Sequence, residues 1–257
     1  MNRARRYFLR AINNVFINNI LIFFKLDSKV DITETFWKTF AFSDKKKPLE
    51  NVGFSTHPQI VEEMNYTHTV LKEYYTKYLN EKSNILDIGC GVGIYLSDFS
   101  NPERLTGIDL NRAFLTKTKE LIPEATLLFG NYTKTEMPKK YDLIYLMSVM
   151  QYIKPSEFKG FTKKLAADLN AGGCVFICYS HAIDKKHLHY PDLSYVRYSP
   201  DFVEKNFREN FNILCHEHFY DKRKVSGYDA IKYYYPNGKK DRTDTQRNTY
   251  FLFAQKK

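Results

Sequence analysis

The chain has 257 residues, a length that suits one large domain or one domain with an added segment. A formal net charge of +10 favours an anionic partner, such as nucleic acid, a phosphate-bearing small molecule or a membrane surface. The four cysteines include no CxxC pair, and three of them lie in apolar runs. This usage argues against a disulfide framework and against a zinc site, and it predicts a reducing, cytoplasmic location.

The first 26 residues, "MNRARRYFLRAINNVFINNILIFFKL", contain four arginines and no acidic residue. Asparagines interrupt the apolar segment, which argues against a secretory signal, and the run is too polar and too short to span a bilayer. Apolar residues from Phe8 to Phe24 recur every three to four positions, as on one face of a helix. Three hypotheses stay open: a helix packed on its own domain, a helix on an anionic membrane surface through residues 3–24, and a targeting or partner-binding segment. We treat residues 1–54 as a basic amphipathic extension and linker.

Residues 55–257 alternate predicted strands and helices. "STHP" predicts the start of a helix that reaches about Leu79, because a hydroxyl cap precedes a proline in the first turn. The strands that follow are predicted in "NILDI", "LTGIDL", "ATLLFG", "YDLIYLM" and "GGCVFICYS", and the helices in "IYLSDF", "RAFLTKTKELI" and "SEFKGFTKKLAADL". Two late strands, "FNILCHEHFY" and "NTYFLFAQ", flank a hairpin insertion at 222–247. This order predicts an α/β fold, Rossmann-like and doubly wound, with a mostly parallel seven-stranded sheet and an N-terminal helical extension.

A glycine-rich loop follows the first predicted strand in "NILDIGCGVGIYL". Glycine at Gly89, Gly91 and Gly93 loses more conformational entropy on folding than a residue with a side chain would. We therefore expect a ligand to approach the backbone closely there. A helix after such a loop also offers its N-terminal amides. Sixteen residues after Gly93 the next strand ends in Asp109, whose carboxylate can accept both hydroxyls of a ribose. The two features together predict a nucleoside-containing cofactor at the carboxyl ends of the strands.

The spacing of the glycines differs from that of dinucleotide-binding loops. Such loops follow G-x-G-x-x-G or A, whereas this loop is G-x-G-x-G followed by Ile94. Asp87 stands just before the loop, where a carboxylate would repel a pyrophosphate and attract an ammonium or a sulfonium group. The pattern therefore argues against NAD and favours a cationic ligand. A role for Asp87 in capping the loop amides stays open as the alternative.

Four segments, taken in order, resemble the motifs of class I S-adenosylmethionine-dependent methyltransferases. They are "ILDIGCGVG", "TGIDLN", "LLFGNYTKTEMPKKYDLIYLMSVMQYI" and "LAADLNAGGCVFI", and the likeness covers residues 84–179 and the closing "YFLFAQKK". The resemblance implies S-adenosyl-L-methionine as the cofactor and methyl transfer as the activity. It assigns cofactor contacts to Asp87, Gly89, Gly91, Gly93, Asp109, Leu110, Asn131, Tyr132 and Met147.

The resemblance gives each of these residues a part of the cofactor. The glycine loop, with Asp87 nearby, would hold the amino acid moiety, while Asp109 would bind the ribose and Leu110 would lie on the adenine face. Asn131 would face the adenine amino group with Tyr132 beside it, and Met147 would line the methionine arm. Tyr152 stands where many relatives carry a histidine, so the acceptor side departs from the family pattern.

The acceptor is less constrained by the sequence. The segment "SHAIDKKHLHYPDLSYVRYS" follows the fifth strand and supplies His181 as the candidate general base, with loop surface as the alternative for its other polar residues. Its histidine spacing predicts no metal site. No Asn/Asp-Pro-Pro-Tyr/Phe motif follows the fourth strand and the chain has no Pro-Cys dipeptide, so methylation of adenine, glutamine or cytosine C5 is disfavoured.

Three functions follow from these features. The first is a methyltransferase that acts at oxygen or nitrogen of a small or sugar-containing acceptor, expected to be anionic, with a nucleotide sugar or a lipid-linked glycan as examples. The second is an RNA or protein methyltransferase that uses the basic 222–247 insertion for docking, although nucleic acid is the less favoured partner. The third is a non-catalytic binding module on the same fold. A peripheral membrane location stays open beside the cytoplasmic one.

Overall fold

The structure is a computed structural model that describes residues 58–180, 189–190, 195–196, 198–218 and 249–257. The basic extension at 1–54, the candidate base His181 and the insertion at 222–247 lie outside these residues. Helices in the described part are α1 (Pro58–Tyr78), α2 (Arg112–Leu121), α3 (Phe158–Asp168) and α4 (Pro200–Phe207). The strands of the main sheet are β1 (Ile85–Ile88), β2 (Leu105–Asp109), β3 (Thr126–Phe129), β4 (Tyr141–Met147), β5 (Leu169–Ser180), β6 (Phe211–His218) and β7 (Thr249–Lys256).

The sheet has seven strands in the order β3-β2-β1-β4-β5-β7-β6. The first five strands in this order are parallel, and β7 is antiparallel to both of its neighbours. The strand order reverses at β1, which lies between β2 and β4, so a ligand crevice is expected beyond the carboxyl ends of these strands. This arrangement confirms the predicted Rossmann-like, mostly parallel seven-stranded sheet.

Both faces of the central strands are buried, as the continuous apolar runs of β1, β4 and β5 require. Alternate residues of these strands contribute to two separate cores. One core packs against α3 and α4 and includes Leu86, Leu146 and Ile177. The other packs against α1, where the Tyr74 ring stacks on Phe253 with centroids 4.7 Å apart. The strand ends that form the crevice are therefore held from both sides of the sheet.

A partly buried polar chain links α4 to the edge of the sheet. The Tyr179 hydroxyl of β5 lies 2.7 Å from Nε2 of His216 on β6, and Nδ1 of His216 lies 2.9 Å from the Glu204 carboxylate of α4. Hydrogen bonds from His216 and Arg208 lower the pKa of Glu204. Because a buried polar group without a partner is costly, this chain ties three elements together in one arrangement.

Two helices differ from their predictions. The helix expected in "IYLSDF" is only a 3-10 turn at Leu96–Asp98, where the Ser97 hydroxyl donates to the Ile94 carbonyl at 2.8 Å and so competes with helical bonding. The segment also contacts α1, because His68 stacks on Tyr95 with ring centroids 4.1 Å apart. Helix α4 was not predicted, although Ser199 caps it through the amide of Phe202 and Pro200 begins it.

Within the described residues, no helix has both the length and the apolar character needed to cross a membrane.

Candidate functional site

The glycine loop after β1 turns through backbone conformations that favour glycine. Gly89, Gly91 and Gly93 have φ angles of 74°, 55° and 80°, all in the left-handed region. A Cβ atom on Gly89 would lie 2.4 Å from Cγ2 of Val149, and one on Gly93 would lie 2.8 Å from Cγ2 of Thr118. The glycines are thus required by the path of the chain and by the close approach of two neighbouring side chains. This local requirement adds to the predicted need for a ligand to reach the backbone.

Hydrogen bonds hold the loop against the end of β2. The Gly91 amide donates to Oδ2 of Asp109 at 2.9 Å, and the Thr118 hydroxyl of α2 donates to the Gly91 carbonyl at 2.9 Å. Gly107 leaves room for Cys90, since a Cβ there would lie 2.8 Å from the Cys90 sulfur. Burial raises the pKa of the Cys90 thiol well above its usual range, with Asp109 and Asp87 acting in the same direction. Cys90 is therefore a packing residue of the loop rather than a nucleophile.

Asp109 lies at the end of β2 with its carboxylate held by backbone amides. Besides the Gly91 bond, Oδ1 accepts from the Asn111 amide at 2.8 Å, and the Asn111 side chain caps α2. Burial raises the pKa of Asp109 to about 6, whereas hydrogen bonds from the Gly91, Asn111 and Leu110 amides lower it. Leu110, the next residue, is half-buried. The carboxylate is fixed at the crevice edge, and its oxygens have further lone pairs for a diol.

Asp87 lies one strand away and is only 2% exposed. Burial raises its pKa to about 8; the neighbouring Tyr145 hydroxyl lowers it and Asp109 raises it further. At this pKa the carboxyl group is mostly protonated at neutral pH. A cation placed beside it would favour its ionised form. Ligand binding and proton release are then expected to be coupled.

Asn131 and Tyr132 directly follow β3. The resemblance assigned both residues to the adenine end of the cofactor. The Asn131 Oδ1 atom accepts from the Thr133 amide at 3.0 Å and from the Thr133 hydroxyl at 2.9 Å. This oxygen therefore already has two local hydrogen bonds that cap the turn after β3. The Tyr132 ring is buried in the core, with its hydroxyl 2.8 Å from Oδ2 of Asp168 and its ring edge-on to Phe161. A cofactor contact at position 132 would thus have to come from the backbone, while that of Asn131 stays a prediction.

The opposite wall of the crevice follows β4. Met147 is half-buried at the strand end, and Ser148, whose amide donates to the Cys178 carbonyl at 2.9 Å, has a φ of 57° that is uncommon outside glycine. Val149 then packs directly over Gly89. Gln151 is buried just beyond. Sequence reasoning singled out Met147 but missed Ser148, Val149 and Gln151, whose only signal was their place directly after the fourth strand.

Comparison with known proteins bears on the central part of the chain. Residues 85–173 match the family model described as "Methyltransferase domain". Residues 85–173 therefore carry a methyltransferase domain, and their motifs are those of the class I S-adenosylmethionine-dependent enzymes. This confirms the family and the cofactor that the motifs predicted. Within the described residues, no cluster of histidine, cysteine, aspartate or glutamate could hold a metal ion.

Two curated proteins are similar to parts of the chain. One is dTDP-3-amino-3,4,6-trideoxy-alpha-D-glucopyranose N,N-dimethyltransferase from Streptomyces venezuelae, 31% identical over 100 residues that cover 38% of this chain and 42% of that protein. The other is malonyl-[acyl-carrier protein] O-methyltransferase from Priestia megaterium, 25% identical over 163 residues that cover 54% and 58%. The chain thus spans only about half the length of these relatives.

A solved methyltransferase shares the fold. N-methyltransferase NodS from Bradyrhizobium japonicum WM9, in complex with S-adenosyl-L-homocysteine, superposes with a TM-score of 0.59 at 12% identity. The match covers 82% of this chain and 99% of that protein. At this identity the comparison shows the fold alone.

Alanine at Gly89 tests the geometry of the loop. We expect Gly89→Ala to lower the free energy of unfolding by about 2 kcal/mol or more, because the residue is left-handed and its Cβ would overlap Val149. Gly160→Ala is the matched control, since Gly160 lies in α3 with nothing within 4 Å of its added Cβ, and this change should stabilise by about 0.5–1 kcal/mol. Urea unfolding measures both, and effects of the same sign would contradict the analysis.

A second prediction concerns pH. The folded pKa of Asp87, about 8, lies above its ordinary value of 3.8, so unfolding releases a proton between these values and stability falls as pH rises through that range. Asp87→Asn removes this pH-dependent loss of stability, because the asparagine side chain does not titrate. Relative to wild type, the variant should therefore gain on the order of 2 kcal/mol or more between pH 5 and pH 9. Thermal unfolding at both pH values measures the gain, and an equal difference at pH 5 and pH 9 would show that Asp87 titrates normally.

Proposed function

We propose that the protein transfers the methyl group of S-adenosyl-L-methionine to oxygen or nitrogen of a small or sugar-containing acceptor that carries negative charge. The observation that carries this proposal is the bond between the Gly91 amide and the Asp109 carboxylate. This bond joins the glycine-loop backbone to the Asp109 carboxylate. The backbone suits the amino acid part of the cofactor, and the carboxylate suits the ribose. The domain match over residues 85–173 supports the same assignment.

Each predicted cofactor residue has a proposed role. Asp109 binds the ribose hydroxyls, and Gly89, Gly91 and Gly93 with Asp87 receive the amino acid moiety. The adenine side is formed by Leu110 and Asn131 with the Tyr132 backbone, and Met147 lies along the methionine arm. When bound, the cofactor supplies an electrophilic methyl group on a sulfonium. The chain contributes mainly by fixing the acceptor in line with that group, an effect that can supply roughly 7–11 kcal/mol.

The acceptor class is inferred from charge and from relatives. The net charge of +10 favours an anionic acceptor. One relative is named for an amino sugar joined to dTDP, and another for a malonyl group on a carrier protein. We propose residues 55–257 as the catalytic domain, His181 as the base where one is needed, and a cytoplasmic location with membrane contact through residues 3–24. The RNA or protein alternative depends on the 222–247 insertion and would be decided by an acceptor screen.

Thermal unfolding with S-adenosyl-L-homocysteine tests the proposal. At 100 times its dissociation constant this ligand should add about 2.7 kcal/mol of stability, a Tm rise of roughly 5–10 °C, while NADH should add none. Asp109→Ala should abolish the rise. Asp201→Ala, which changes an exposed aspartate at the start of α4, is the matched control and should retain it. No rise in the wild type would favour the non-catalytic binding module, and an equal rise with NADH would contradict the choice of cofactor.

A further inference from the structure

The segment after β4 reaches back over the start of the glycine loop. The chain turns at Ser148, which has a left-handed φ of 57°, and Val149 follows. A Cβ atom on Gly89 would lie 2.4 Å from Cγ2 of Val149, so the isopropyl group of Val149 covers the place that a Gly89 side chain would occupy. Val149 therefore joins the ends of β1 and β4, which are neighbouring parallel strands.

Hydrogen bonds on both sides fix the backbone of Val149. The Ser148 amide donates to the Cys178 carbonyl of β5 at 2.9 Å, and the Tyr152 amide donates to the Val149 carbonyl at 2.9 Å. The side chain is branched at Cβ, which leaves it few rotamers. It also packs against the core on the α3 side of the sheet. Val149 is thus a stiff wall at the point where the two strand ends meet.

A ligand can reach this wall. Val149 is only half-buried, whereas the next residue, Met150, has no exposed surface. Because the Val149 side chain touches Gly89, a ligand that lies against the Gly89 backbone also lies next to Val149. The wall therefore borders the part of the crevice that the proposed function gives to the amino acid moiety.

The strand order places Val149 on the acceptor side of the cofactor. Under the proposed function the adenine lies at the end of β3, the ribose at the end of β2 and the amino acid moiety at the loop after β1. Strand β4 is the next strand of the sheet. The sulfonium sulfur connects the ribose to the amino acid moiety, so its third substituent has to leave in a direction that neither of them occupies. The segment after β4 borders that direction, and Val149 is where this segment touches the loop.

We propose that Val149 is a specificity-determining residue that limits the size of the group on the cofactor's sulfur, so that a methyl group is accepted and a larger alkyl group is rejected. This inference rests on the proposed methyltransferase function. A stiff, branched side chain does not yield to an added methylene, and close-packed surroundings make such an overlap costly. One methylene in an apolar pocket changes affinity by about tenfold or more.

Calorimetric binding of three ligands tests the proposal without an acceptor. S-adenosyl-L-homocysteine has no third group on sulfur, S-adenosyl-L-methionine has a methyl group and S-adenosyl-L-ethionine has an ethyl group. The wild type should bind the ethyl ligand about tenfold or more weaker than the methyl ligand. Val149→Ala shortens the wall and should bring these two affinities within about threefold. Val149→Ile enlarges the wall and should weaken the methyl ligand more than S-adenosyl-L-homocysteine.

Two control variants separate size from other effects. Val149→Thr keeps the branched shape and should keep the wild-type preference for the methyl ligand. Val203→Ala removes the same two methyl groups from a fully buried valine of α4. It should lower the Tm, because it leaves a cavity, without changing the ratio of the two affinities.

Several results would overturn the inference. They are equal affinity of the wild type for the methyl and ethyl ligands, an unchanged ratio in Val149→Ala, and a ratio that shifts as much in Val203→Ala. If Val149→Ala does not fold, Val149→Ile decides, and equal weakening of the methyl ligand and S-adenosyl-L-homocysteine would overturn it. Failure of S-adenosyl-L-homocysteine to bind the wild type would instead contradict the proposed function itself.

Discussion

The site depends on one hydrogen bond, from the Gly91 amide to Oδ2 of Asp109. It connects the ends of β1 and β2, which are neighbouring parallel strands at the point where the strand order reverses. The loop that carries Gly91 turns through three left-handed glycines, and it is held by the Thr118 hydroxyl bond and by the close packing of Cys90 on Gly107. The crevice between the glycine-loop backbone and the Asp109 carboxylate is therefore already formed before a ligand binds.

Charge is the second constraint on the crevice. Two acids, Asp87 and Asp109, lie on adjacent strands, and burial raises the pKa of both, to about 8 and about 6. Their ionisation is costly in the empty site and becomes favourable beside a cation. A cofactor that is positively charged at sulfur and at its amino group suits such a site better than a pyrophosphate does. Cofactor choice and stability are thus linked through the same buried carboxyls.

Sequence reasoning identified the parts of this molecule that local chemistry determines. The apolar runs of β1, β4 and β5 were long enough to be read as buried strands, and Gly89 to Gly93 with Asp109 were read as a cofactor site. It missed features that depend on distant neighbours. The turn at Leu96–Asp98 replaces a helix beside α1, and Val149 matters because it packs on Gly89.

A crystal structure of the full chain with S-adenosyl-L-homocysteine tests the central claim most directly. Both ribose hydroxyls should lie within about 3 Å of the Asp109 carboxylate, and the amino acid moiety should lie against Gly89, Gly91 and Gly93. A ligand bound elsewhere on the sheet, or one whose ribose does not reach Asp109, would contradict the account.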